Sequence, residues 1–240
     1  MTTSGTASFN LDLAEIVEEA FERCGQELRS GYDMRTARRS LNLLTIEFAN
    51  RGINLWTIEE GTIPLVQGQI VYSLPDDTID LLDHVVRTGT GQNQVDININ
   101  RISGSTYSTI PNKNAQGRPI QVWINRQTGA TYPDAAVTTS RKPQINVWPT
   151  PDQNSYYTFV YWRLRRLENA GDAVNTQDIP FRLLNAMVAG LASYLSMKLQ
   201  GVDPTRIQML KADYEQQLDL AMSEDREKAS NRFVPRIMHV

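Results

Sequence analysis

The chain has 240 residues, 40% of them hydrophobic and 21% charged, with a formal net charge of -3. That length suffices for a substantial core, and the composition is that of an ordinary globular protein. The charge balance argues against a general nucleic-acid binder, and a single cysteine, Cys24, excludes an internal disulfide framework or a cysteine-rich zinc site.

The charge is unevenly spread. Residues 1–33 carry Asp12, Glu15, Glu18, Glu19, Glu22, Glu27 and Asp33 against Arg23 and Arg29, so this segment nets -5 and the remainder +2. The N-terminal MTTSGTASFN lacks the basic and apolar regions of an export signal. The apolar run from Phe181 to Leu199 is broken by Arg182, Asn185 and Lys198, which predicts no membrane partner.

Asn10 or Asp12 can cap a first helix with Leu13, Ile16, Val17, Ala20, Phe21 and Cys24 on its inner face and Gly25 at its end. Its outer face is acidic. A second helix follows after Ser30-Gly31-Tyr32-Asp33, with Met34, Ala37, Leu41, Leu44 and Phe48 on one stripe. Arg35, Arg38, Arg39 and Asn42 fall on the other side, either as a solvated face or as a surface for an acidic partner. Gly52 supplies the helix stop, and Leu55, Trp56 and Ile58 just beyond it are expected to be buried in the junction of the helical and strand parts or in a neighbouring subunit.

From Thr57 the period becomes alternating. Thr62–Val66 and Gln69–Leu74 read as a hairpin, and His84–Arg87 and Val95–Arg101 as a second one with Val95, Ile97 and Ile99 on a buried face. Ser103–Tyr107 reads as a short helical turn. Further strands are predicted at Ile120–Asn125, Gln144–Trp148 and Tyr156–Arg166, and residues 128–143 as an exposed loop or weak edge strand.

Helices return at Pro180, with Phe181, Leu184, Met187, Val188, Leu191, Tyr194 and Leu195 on a wide apolar face ending at Gly201. Asp203 and Pro204 then open an amphipathic helix carrying Ile207, Leu210, Tyr214, Leu218 and Ala221 inward. The fold class expected is α+β. Residues 1–58 and 171–229 supply two helical hairpins that pair as an antiparallel bundle, residues 59–170 form an inserted antiparallel β-rich domain, and residues 230–240 form a docking tail.

No catalytic constellation emerges. His84 and His239 lack the spacing of metal ligands, and no G-x-S-x-G, P-loop or G-x-G-x-x-G is present. Asp76, Asp77, Asp80 and Asp83 read as turn and helix-capping residues rather than an acid and base pair. Trp123, Trp148, Tyr156, Tyr157, Tyr161 and Trp162 read as sandwich core before a sugar platform. Arg163, Arg165 and Arg166 give only a weak electrostatic footprint for DNA. No enzyme, metal or cofactor is predicted.

The ordered series Ala37-Arg38-Arg39-Ser40-Leu41-Asn42-Leu43-Leu44, Asn50-Arg51-Gly52-Ile53-Asn54-Leu55-Trp56, Tyr72-Ser73-Leu74-Pro75, Gly117-Arg118-Pro119, Trp148-Pro149-Thr150-Pro151, Pro180 and Ala189-Gly190-Leu191-Ala192 resembles the head-to-tail adaptors of short-tailed bacteriophages, the tail tubular protein A-like family. The resemblance implies a structural virion protein at the head-tail junction, assembled in the host cytoplasm. It would form a dodecameric ring between portal protein and tail nozzle protein, continuing the channel through which genomic DNA passes and supporting tail fibres. It makes Arg232, Phe233, Val234, Pro235, Arg236 and Ile237 portal-binding candidates. In a ring, Arg35, Arg38, Arg39 and Trp56 become subunit-interface candidates, and Glu15, Glu18, Glu19 and Glu22 channel-lining candidates whose charge repels phosphate. A neck protein of a long-tailed phage and an accessory carbohydrate-binding tail protein are the alternative readings.

Overall fold

A computed structural model describes residues 4–53, 55–127, 142–172 and 174–225. The chain divides into two compact units, Met1–Leu55 with Glu168–Val240, and Trp56–Leu167. The first is helical and the second is built of strands, an α+β fold.

The helical unit begins with α1 (Leu13–Cys24). The Asp12 carboxylate accepts from the Glu15 amide at 2.8 Å, while Glu15 accepts from the Asp12 amide at 2.9 Å. This reciprocal capping box satisfies two otherwise orphaned helix-start donors. The six residues expected on the inner face are the six that are buried. The second helix, α2 (Gly31–Asn50), starts at Gly31 rather than past Asp33, because Ser30 and Asp33 form a similar box. Its end is fixed at Gly52, whose φ of 77° is costly for any residue with a Cβ. Gly52 N–H donates to Ala49 O and Ile53 N–H to Phe48 O, both at 3.1 Å, and buried Ile53 packs against the last turn.

The centre of the bundle is α4 (Leu184–Ser196), which packs against α1, α2 and α5 (Pro204–Glu224). Eleven of its residues are buried, more than one stripe, because it has neighbours on several sides. Gly190 permits a close approach: a Cβ there would lie 2.9 Å from Leu44 Cδ1 of α2 and 2.9 Å from Tyr214 Cε2 of α5. Full burial of Phe21, Phe48, Leu41 and Leu44 stabilises the bundle by about 1.5–3 kcal/mol for each side chain. The end of α4 falls at Ser196 rather than at the expected Gly201, since Lys198 and Leu199 N–H groups both turn back to Leu195 O.

Two expectations for this unit are corrected. Asn42 is not on a solvated face, because its side-chain oxygen accepts from the Ala170 amide at 2.8 Å. Phe181 is not on the buried face of α4. It belongs to a 3₁₀ turn, Phe181–Leu183, ahead of the helix and out of phase with it, and is 78% exposed.

The second unit is a pair of four-stranded sheets. One has the order β1 (Ile58–Pro64), β8 (Tyr157–Arg165), β3 (Thr78–Thr88), β4 (Val95–Asn98). The other runs β2 (Val71–Ser73), β7 (Gln144–Trp148), β6 (Gln121–Asn125), β5 (Asn100–Ile102). Val86, Phe159 and Tyr161 from the first meet Tyr72, Val122 and Ile145 from the second in one core, which makes the unit a β-sandwich. A short helix, α3 (Gly104–Ser108), is capped by Ser103 and stacks Tyr107 on Trp123 with centroids 5.1 Å apart.

The strands overlap the expected ones, but β1 begins at Ile58 rather than Thr62 and β3 at Thr78 rather than His84, and the partners differ. The expected hairpin of 62–66 with 69–74 does not form, because β1 pairs with β8 while β2 crosses to pair with β7. Buried Tyr72 holds the crossing, its hydroxyl accepting from Val66 N–H at 2.9 Å and donating to Val66 O at 3.1 Å. The β3 and β4 hairpin does form. Of its expected buried face only Ile99 is buried, while Ile97 is half-buried and Val95 is 54% exposed, since β4 is an edge strand with one neighbour. Past Ile99 the chain changes sheets, and β5 pairs with β6 in parallel, an exception to the antiparallel expectation. Asp80 and Asp83 lie on β3 and cap no helix. Leu55 is 39% exposed and Trp56 and Ile58 are half-buried within the single chain. Most of the predicted 128–143 loop lies outside the described residues.

Candidate functional site

Within the helical unit, residues preceding α1, the outer face of α1 and the first turns of α4 enclose a groove of about 840 Å³. Phe9, Leu11, Phe181, Leu184 and Val188 line it with apolar surface, and Glu15, Glu18, Glu19 and Glu22 rim it. Phe9 is 76% exposed. Two exposed phenyl rings beside four carboxylates form a surface suited to an apolar, basic segment of protein. The structure brings the four channel-lining candidates together, but they are not equivalent. Glu15 is committed to the capping box and Glu19 to Arg23 at 2.9 Å, while among the described residues Glu18 and Glu22 form no ion pair. Sequence reasoning missed Phe9 and misassigned Phe181. The available signal was an aromatic residue a few positions ahead of each of these two helix starts.

A second patch is basic. Arg35, Arg38 and Arg39 are exposed around Tyr32, which is 65% exposed. Arg38 approaches Asp172 at 3.4 Å, a pair too exposed to be worth more than about 1 kcal/mol. Arg39 and Tyr32 adjoin Lys198, Leu199 and Gln200 past the end of α4, whereas the acidic groove adjoins its start. With about 1.5 Å of rise per residue over the helix, this separates the patches by roughly 20 Å along α4. Trp56, grouped with these arginines in the sequence reading, belongs to a 3₁₀ turn of the other unit and is half-buried. The six portal-binding candidates, Arg232 to Ile237, lie outside the described residues.

Between α2, α4 and α5 sits a polar cluster that steadies the bundle. Glu47 accepts from the Tyr194 hydroxyl at 2.8 Å and from Arg51 at 2.6 Å. Burial pushes the Glu47 carboxyl up, but hydrogen bonds from Tyr194 and Arg51 together outweigh it and hold the group below its ordinary value. Burial, followed by the hydrogen bond to Glu47, pushes the Tyr194 hydroxyl up to about 12. Because the folded value of Glu47 is depressed, its contribution is present above the ordinary carboxyl value of 4.5 and is lost as pH falls through the folded value. Glu47→Gln is expected to cost about 1–2 kcal/mol at pH 7 and to flatten the stability loss below pH 4.5, checked by urea denaturation across that range.

In the sandwich, Arg163 donates to Asp77 at 2.5 Å, to Thr78 Oγ1 at 3.1 Å and to Glu59 at 2.7 Å, and Arg165 donates to Glu59 at 2.7 Å. Two of the three arginines considered for DNA are therefore engaged within the fold. The aromatic residues expected in the core are not all there: Tyr156 is 50% exposed and Trp123, Trp148 and Trp162 are half-buried. Tyr157 and Tyr161 are core, Trp123 stacks on Tyr107, and the Trp148 indole donates to Asn112 O at 3.0 Å. Among the described residues, no three His, Cys, Asp or Glu side chains gather as metal ligands, and no helix is long and apolar enough to cross a membrane.

The pattern of residues 11–236 matches the family model described as SU10 adaptor protein. The chain belongs to the SU10 adaptor protein family. The match spans both units, and a phage adaptor has a structural role. No individual curated protein matches this adaptor.

Proposed function

We propose that this adaptor joins portal to tail in a short-tailed phage virion, as a closed ring of twelve copies that continues the DNA channel from the portal protein to the tail nozzle protein. The observation that carries the reading is the family match from residue 11 to 236, which takes in bundle, sandwich and most of the C-terminal tail. Arg232, Phe233, Val234, Pro235, Arg236 and Ile237 dock on the portal, and the sandwich offers surface to the nozzle and fibres. DNA passes without sequence-specific binding.

The two charged patches support a head-to-tail contact around such a ring. A heterologous interface needs two different, complementary surfaces on one subunit. The groove rimmed by Glu18 and Glu22 and the Arg35, Arg38 and Arg39 face meet that need on one bundle. The exposed Phe9 and Phe181 rings favour a protein-covered role for this groove over a bare channel wall, because a wall kept clear of DNA needs charge and gains nothing from exposed phenyl groups. Arg35→Glu with Arg39→Glu is expected to abolish ring formation on purified portal, seen by electron microscopy, while leaving the circular dichroism melt within about 0.5 kcal/mol of the parent because both side chains are exposed. Rings that form normally with both charges reversed would remove this interface from the account.

A further inference from the structure

We propose that the groove between α1 and the start of α4 is a binding site for the chain's own C-terminal segment, residues 230–238, in the free subunit. This goes beyond the portal-docking reading and does not depend on it. The groove asks for an occupant that is both apolar and basic. Phe9, Leu11, Phe181 and Leu184 form its floor and walls, and Glu18 and Glu22 stand at its rim with no ion pair among the described residues. The last fifteen residues of the chain carry that chemistry. Arg226, Lys228, Arg232 and Arg236 stand against one acidic side chain, Glu227, and Phe233, Val234 and Ile237 are interleaved with them.

The point of departure favours the same occupant. The Asp225 carboxylate is held by Arg182, with Nε at 3.2 Å, and its side chain is only 2% exposed. Arg182 directly follows Phe181, a wall of the groove, so the chain leaves the described bundle beside the groove. Eight residues from Asp225 to Phe233 reach up to about 26 Å when extended. The rim from Glu15 to Glu22 is only about 10 Å long at helical rise. A short tether of this kind holds its segment at roughly millimolar effective concentration, so a subunit's own tail outcompetes that of another copy in dilute solution.

The test is disulfide trapping in the full chain carrying Glu18→Cys and Phe233→Cys. Native Cys24 does not compete, because it is 2% exposed and burial pushes its thiol up to about 11. Diamide is expected to close an intramolecular disulfide whose rate is unchanged by about tenfold dilution. Pairing Phe233→Cys with Leu220→Cys, on an exposed part of α5, should react at least about tenfold more slowly despite the shorter tether. Raising salt to about 1 M should slow the Glu18→Cys reaction by a few-fold, because Glu22 and the remaining arginines are then screened. Disulfide-linked dimers as the main product, or equal rates for the two pairs, would overturn the proposal. Portal binding by the unaltered chain reports separately on the adaptor reading, so the two can fail independently.

Discussion

Gly190→Val should destabilise the helical unit by at least about 3 kcal/mol, enough to lower its melting temperature by roughly 6–12 °C for a chain of this size. The cause is the place where α4 passes Leu44 and Tyr214, with 2.9 Å between a built Cβ and both side chains. A contact that short forces helix or side chain to move, and a β-branched residue adds two more carbon atoms to the same gap. Gly190→Ala should be milder, since the gain of about 1 kcal/mol in helix propensity offsets part of the crowding. Leu44→Ala in the Gly190→Val background should recover part of the loss by opening the facing space, a coupling that a double-mutant cycle in urea would measure. Gly31→Ala is the control. Nothing lies within 4 Å of a Cβ at that position, and its effect should stay within about 1 kcal/mol. A Gly190→Val variant as stable as the parent would mean that the helices do not pack at the spacing described.

Arg163→Ala should cost the sandwich about 2–3 kcal/mol. Arg163 lies on β8, the strand that pairs with both β1 and β3, opposite Glu59 on one side and Leu81 on the other. Its side chain is 12% exposed, and its guanidinium ties Glu59 of β1 to Asp77 and Thr78 at the head of β3. Hydrogen bonds to charged groups contribute about 1.5–3 kcal/mol each when buried. Here the carboxylates are more than a third exposed and recover water when the arginine is lost, so the sum is discounted. Arg163→Lys should recover less than half of the difference, because one ammonium cannot bridge both carboxylates in the planar geometry. The measurement is a urea titration followed by the fluorescence of sandwich tryptophans. An Arg163→Ala midpoint equal to that of the parent would show that strand pairing alone holds this edge.

The parts legible in the sequence were those encoded within a few residues. Asp12, Gly52 and Asp203 with Pro204 mark helix ends through local hydrogen bonds and backbone preference and take their expected places, whereas Ser30 caps its helix ahead of the expected start. The inner faces of α1 and α5 followed from spacing. Strand partners were not legible in the same way. Gln67-Gly68 looks like a hairpin turn, yet the strand after it joins the other sheet, because Tyr72 and the facing rows of both sheets share one core. Nor could spacing reveal the groove. Phe181 has the right interval for the α4 stripe, and only the 3₁₀ turn beneath it rotates the ring outward. The arginines of β8 were read as a charged run, whereas their carboxylate partners Asp77 and Glu59 are more than 80 residues away in the chain and meet them only through the sheet.

The central claim is that this adaptor assembles on a portal. The direct measurement is electron microscopy of purified portal rings from the same phage, incubated with the full chain and freed of unbound protein. A second ring of density with the portal's axial symmetry is expected on the tail-facing end, and its loss is expected when residues 230–240 are deleted. Portal rings without added density at saturating adaptor would contradict it.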